Sequence, residues 1–183
     1  MVKVIGLSGV ARVGKDTLFN SLSALGSNKN YTRMAFADEL KYECDEFLKR
    51  NVNISAFTED DNEKALIRPF LVTYGSHLRR RINKRCWVEK VEAKILKMTN
   101  LNSTVFITDV RYQNEMEWIQ NTMGGKIIYI TRDGVLPAND EEKNNDPGLR
   151  SMADVILDLP NFPTNSLNDD CINFLTTKTE EIL

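Results

Sequence analysis

Short apolar runs alternate along this chain with stretches of helical period. Val2 to Leu7, Thr104 to Asp109, Lys126 to Thr131 and Val155 to Leu159 are almost continuously apolar, as strands buried on both faces are, and Tyr31 to Met34 makes a weaker fifth strand. Between them the spacing predicts helices over Lys15 to Ala24, Asp38 to Arg50, Arg68 to Arg81, Trp87 to Met98, Gln113 to Met123 and Leu167 to Glu181. Two stretches carry no apolar period and read as loops: Asn51 to Asn62, polar and acidic, and Asp133 to Pro147, with its Gly, Pro, Asn and acids. Strand, crossover and strand in repetition predict an α/β fold, with a five-stranded, mostly parallel sheet between two helical layers.

The first strand runs into Gly9-Val-Ala-Arg-Val-Gly-Lys-Asp-Thr17, and a helical stretch with Leu18, Leu22 and Leu25 follows. A glycine loop between a strand and a helix cradles phosphate, because its N–H groups turn inward where the helix dipole adds positive potential. Gly9 and Gly14 permit that turn, and Lys15 is placed to reach the β- and γ-phosphates of a nucleoside triphosphate. The hydroxyl that usually follows the lysine and holds Mg²⁺ is displaced by one, with Asp16 next and Thr17 after it. The spacing matches a P-loop at both glycines and the lysine, and departs from it at the metal position.

Composition narrows the class. At 183 residues and 42% hydrophobic content, the chain can build one core and is too short for two large domains. The expected organisation is a single P-loop domain over 1–183, in which about 38–98 is largely helical and about 132–150 is polar and mostly loop-like. A net charge of −2 argues against a nucleic-acid partner, which would call for surplus Lys and Arg. No apolar run approaches a bilayer span and no secretory signal opens the chain, so neither membrane nor export is expected. Cys44, Cys86 and Cys171 lack metal or disulfide spacing and read as reduced thiols of a cytoplasmic protein. Helices with apolar faces would support a homodimer as readily as a monomer.

Two further segments carry candidate chemistry. Strand 104–109 ends in Asp109, followed by Arg111 and Glu115. Carboxyl ends of parallel strands converge on one edge, so Asp109 should emerge beside the phosphate loop, while a turn or cap role is the plainer alternative. Arg111 and Glu115, one helical turn apart, could join it there or form an ordinary surface pair. In the second segment, Arg68 before Pro69 at a helix start would present a guanidinium for a bidentate grip on phosphate, and Trp87 could stack on a base. Alone, each is more simply a solvated arginine and a core tryptophan. Of the run Arg79 to Arg81, at most two could face one ligand, and His77 reads as structural.

Taken together, these blocks resemble the deoxynucleoside monophosphate kinases of the bacteriophage type. The resemblance rests on Leu7-Ser8-Gly9-Val10 with Gly14-Lys15-Asp16-Thr17, the last four being that group's usual form. It continues through Arg68, Tyr74-Gly75-Ser76, Trp87-Val88, Ile107 to Arg111, Asn114-Glu115-Met116 and Ile128 to Arg132. The chain is shorter than those enzymes between Lys41 and Arg68. The resemblance implies transfer of the γ-phosphoryl of ATP to a nucleoside monophosphate, with ATP and Mg²⁺ as cofactors and the host cytoplasm as location for a phage-encoded protein. It implies that Gly9, Arg12, Val13, Gly14, Lys15, Asp16 and Thr17 bind ATP, with Asp16 and Thr17 serving the metal. Arg68, Trp87, Asp109, Arg111 and Glu115 would build the acceptor site, with Asp38 and Lys41 as further contacts. The helical segment at about 38–98 would then bind the acceptor, and about 132–150 would be a short lid bracketed by Arg132 and Arg150, with Arg132 placed on the ATP. Lys15, Asp16, Arg68, Asp109 and Arg111 are then the groups closest to the chemistry. Two alternatives keep the loop but change the outcome: a kinase of another small acceptor, such as dephospho-coenzyme A, or a module that binds ATP without turnover.

Overall fold

The computed structural model describes residues 2–25, 30–99, 102–160, 174 and 177. They divide into two compact units, one made of both ends of the chain and the other of residues 35–97.

The first unit is built on five parallel strands in the order β2-β3-β1-β4-β5: β1 Lys3–Ser8, β2 Tyr31–Met34, β3 Thr104–Val110, β4 Lys126–Thr131 and β5 Val155–Asp158. The centre of the sheet is dry because its sequence is apolar on both faces. Ile5, Leu7, Phe106 and Ile130 are each at most 1% exposed. Phe19 from helix α1 (Lys15–Leu25) meets Phe106 edge-on, with ring centroids 5.7 Å apart. β1 has β3 on one side and β4 on the other, so the chain turns to opposite halves of the sheet at its end. Ligands bind at such a switch point in open α/β sheets. The β1–β3 register also slips between Gly6 and Ser8, and the Ser8 hydroxyl donates to the Val110 carbonyl at 3.0 Å. The predicted helix after Gln113 is a short α6 (Gln113–Glu117) continued by a π-turn, Trp118–Thr122.

The predicted loop Asp133 to Pro147 is corrected in its second half. Asp140–Met152 is a helix, α7, with Pro147 inside it. The Asn139 side chain caps its start by accepting from the Glu142 N–H at 2.8 Å, and three acids occupy its first turn, where the dipole favours them. The C-terminal helix expected at Leu167 to Glu181 lies outside the described residues except for Phe174 and Thr177, both helical. Cys171 lies outside them too.

The second unit contains α2 (Phe36–Val52), α3 (Asp61–Val72) and α5 (Cys86–Leu96). The helix expected to begin at Arg68 begins at Asp61, because Asp60 caps it by accepting from the Asn62 and Glu63 N–H groups at 2.9 and 3.0 Å. Pro69 therefore sits inside α3. The helix then widens into a π-turn, Thr73–Arg79, before the short α4 (Arg80–Ile82). Glu43 is the polar hub of this unit. It accepts from the Tyr74 hydroxyl at 2.5 Å and pairs with Arg79 at 2.9 Å and Lys90 at 3.1 Å. Burial pulls the Glu43 carboxyl up, but Tyr74, Lys90 and Arg79 together hold it below the ordinary value. Cys44 and Cys86 are free and buried. Among the described residues, no helix is long and apolar enough to cross a membrane.

Candidate active site

The phosphate loop leaves β1 with Gly9 at φ 126° and reaches α1 with Gly14 at φ 112°. Both positions exclude a side chain. A Cβ on Gly9 would lie 2.4 Å from the Ile130 carbonyl oxygen, and one on Gly14 would lie 2.7 Å from the Arg132 guanidinium. Arg12 also takes a left-handed φ of 64°, while Val13 is 1% exposed and offers the site only its backbone. This is a backbone cradle of the kind that fits phosphate. Arg132 lies against it through Gly14, and its buried Nε has no hydrogen-bond partner among the described residues.

Lys15 points back across the loop. Its Nζ donates to the carbonyls of Gly9 at 2.6 Å and Val10 at 2.8 Å, and the residue is 8% exposed. Burial and then the Arg111 charge lower its pKa to about 8, against the pull of Glu142, Asp16 and Asp109. Lys15, Arg111 and Asp109 thus lie within electrostatic reach of one another, as convergence of β1 and β3 at one sheet edge requires. Asp16 and Thr17 occupy the first turn of α1, both exposed, and Arg33 at the end of β2 stands 3.4 Å from the Asp16 carboxylate. Among the described residues no three metal-ligating side chains cluster. A Mg²⁺ held mainly by nucleotide phosphates and water needs only one or two protein oxygens, and the first turn of α1 offers them.

A cleft opens beside the loop, lined by Gly9, Val110, Arg111, Asn139, Glu142 and Asn145 among others. Arg111 reaches across it to Glu142 of α7 at 2.9 Å. Glu142 is a residue that composition did not single out. The sequence shows it only as one of a run of acids in a stretch that reads as a loop, and its contact with Ala11 is purely tertiary.

Two predicted acceptor groups are corrected. Glu115 is fully buried, and its carboxylate accepts from the Arg111 and Tyr112 N–H groups at 2.8 and 3.1 Å, which makes it the cap of α6. By orienting the backbone at Arg111 it acts on the site indirectly. Trp87 is 2% exposed with the Arg79 guanidinium 5.7 Å from its ring, so the indole is a packed side chain with no open face for a base. Asp109 and Arg111 lie at the sheet edge, whereas Asp38, Lys41 and Arg68 belong to the helical unit. Asp38 is in the first turn of α2, the Lys41 ammonium lies 5.4 Å from the Phe57 ring, and Arg68 is exposed on α3. Arg150 is exposed in the last turn of α7.

Residues 32–158 match the family model for deoxynucleotide monophosphate kinase. The chain belongs to that family. The match begins beyond the P-loop, so the loop and the family are independent observations. A protein of Acanthamoeba polyphaga mimivirus assigned as a deoxynucleotide monophosphate kinase is 30% identical over 179 residues, covering 84% of this chain and 86% of the relative. The fold is shared more widely. A dephospho-CoA kinase from Campylobacter jejuni superposes with a TM-score of 0.55 at 17% identity, over 100% of this chain and 98% of that one. Kinase family and P-loop fold together make the chain a phosphotransferase that binds nucleotide.

Proposed function

We propose that this chain is a deoxynucleoside monophosphate kinase, which transfers the γ-phosphoryl of ATP to the phosphate of a deoxynucleoside monophosphate and releases ADP and the diphosphate. The observation that carries the reading is the meeting, at one sheet edge, of a positive-φ glycine loop, the Lys15 ammonium and the Arg111 guanidinium. Two cations and the Ala11 N–H, which already holds a carboxylate, favour an anion, and membership of the family supports a nucleotide as that anion.

ATP would lie with its phosphates along Gly9 to Thr17, within reach of Lys15 and Arg132. Bound Mg²⁺, held by Asp16 and Thr17, would neutralise charge on the β- and γ-phosphates. In the transfer, an acceptor phosphate oxygen forms a bond to the γ-phosphorus. The bond from that phosphorus to the bridging oxygen breaks, and its electron pair leaves with ADP. The acceptor is already an oxyanion near neutral pH, so the protein supplies positioning and charge rather than a base. Arg111 would hold the transferring or acceptor phosphate, Asp109 would orient it, and Arg68 with Asp38 and Lys41 would serve the acceptor from the helical unit.

ADP release with ATP and Mg²⁺ against a panel of deoxy- and ribonucleoside monophosphates tests the reading, with dephospho-coenzyme A and no-acceptor controls. Turnover that depends on a deoxynucleoside monophosphate is expected. Turnover with dephospho-coenzyme A alone, or none with any acceptor, would refute it. Arg68→Ala should raise the KM for the monophosphate about tenfold or more, the worth of one charge-assisted contact, and leave the KM for ATP within about twofold. A parallel rise in both constants would remove Arg68 from the acceptor site.

A further inference from the structure

Glu142 makes the bonds that a phosphate oxygen makes at such a loop. Its Oε2 accepts from the Ala11 N–H of the loop at 3.1 Å and from the Ala138 N–H at 3.0 Å, and its Oε1 accepts from Arg111 Nη1 at 2.9 Å. Its side chain is only 13% exposed. Burial alone would push the carboxyl up, but the two N–H groups, Arg111 and Lys15 outweigh it and hold the pKa below the usual range. An ionised carboxylate therefore sits on the phosphate cradle, presented by a helix from the far end of the chain.

That helix is held at the site by three carboxylates. The Tyr112 hydroxyl donates to Glu141 at 2.8 Å, the Tyr129 hydroxyl donates to Asp146, and Glu142 makes the bonds just given. Leu149 is the one buried apolar side chain of α7. Docking of α7 is thus mainly polar, and of these bonds the one that Glu142 accepts from the Ala11 N–H reaches the loop itself.

We propose that Glu142 is a displaceable occupant of the phosphate loop: an incoming phosphate takes the Ala11 N–H and Arg111 from it, and α7 loosens from the loop as the carboxylate leaves. The inference rests on the proposed reading of the loop as the ATP phosphate site. Two anions do not share one N–H and one guanidinium at hydrogen-bond distance without strong repulsion, so occupancy by phosphate and by Glu142 are alternatives. An internal competitor lowers apparent affinity by the fraction of time it holds the site. Removing its charge tightens phosphate binding, and adding phosphate frees the helix.

Inorganic tripolyphosphate is the probe, titrated calorimetrically into the full chain and its Glu142→Gln variant, with hydrogen exchange followed across residues 140–152. The variant is expected to bind about threefold tighter or better. In the unsubstituted chain, exchange across α7 should quicken when tripolyphosphate is added. Equal or weaker binding by the variant, or α7 exchange that tripolyphosphate leaves unchanged or slows, overturns the proposal while leaving the loop as a phosphate site. Absence of tripolyphosphate binding, or binding that Lys15→Met leaves intact, overturns the site reading and this inference together. Should Glu142→Gln fail to fold, exchange in the unsubstituted chain decides alone.

Discussion

Lys15→Met is expected to lower kcat/KM for phosphoryl transfer by about 10²–10³ or more while the protein stays folded, because on the proposed reading it removes a preorganised cation from the transferring group and fills the space with a side chain of similar length. The variant should also betray the cost of holding that cation in the loop. Lys15 is 8% exposed, and burial, then Arg111, bring its pKa down to about 8. The sign follows from proton counting. Between about pH 8 and the ordinary lysine value the unfolded chain binds more protons than the folded one, so the unsubstituted protein gains stability as pH rises through that window. Below about pH 8 the full penalty is present, on the order of 3 kcal/mol. Thermal melts of both proteins from pH 7 to pH 10.5 should therefore show the native protein gaining on the Met variant above pH 8. A Met variant of full activity would remove the P-loop from the mechanism, and a stability difference flat with pH would remove the strained ammonium.

Gly9→Ala is expected to be the most destabilising single change in the loop. At φ 126° the backbone lies where side chains are strained, and the new Cβ would come within 2.4 Å of the Ile130 carbonyl oxygen. Ile130 belongs to β4, which pairs with β1 on one side and β5 on the other, so its carbonyl cannot retreat without opening a ladder. Strain and overpacking each cost about 1–3 kcal/mol, and their sum is a large part of the stability of a domain this size. A fall in Tm of about 10 °C, with loss of tripolyphosphate binding in whatever remains folded, is the expected outcome. A variant that melts within about 2 °C of the native protein would mean that the loop does not hold this conformation in solution.

The three central strands were legible because each buries both faces and so carries a nearly continuous apolar run, which Lys126 to Thr131 illustrates: the predicted and observed bounds coincide, whereas the half-exposed edge strand β2 carries a weaker signal. Helix α7 was not, for the opposite reason. Only Leu149 is buried along it, so no period of 3.6 marks it, and Pro147 with its flanking polar residues reads as a loop. What makes it helical is an asparagine cap, a dipole-matched acidic turn and bonds to partners distant in sequence, such as that from Ala11 to Glu142. Pro69 misled in a related way: proline favours a first turn, but the stronger signal was Asp60, eight residues before Arg68, whose carboxylate takes two N–H groups at the true start. In the site, the shape of the loop was legible because two glycines and a lysine in one local string set it. Trp87 and Glu115 were placed in the acceptor site by the resemblance, whereas burial makes one the core tryptophan that its residue type alone suggests and the other a helix cap.

The helical unit, residues 35–97, leaves the sheet after β2 and returns before β3, two strands that lie side by side in register from Tyr31 opposite Thr104. Everything it contains is therefore one uninterrupted stretch of chain spliced between neighbouring strands. A gene segment that encodes such an excursion can lengthen, shorten or be exchanged for another without rethreading any strand. On the proposed reading, in which this unit serves the acceptor, a lineage with this layout can change what it accepts by revising one cassette, and the loop between β1 and α1 is left out of the revision.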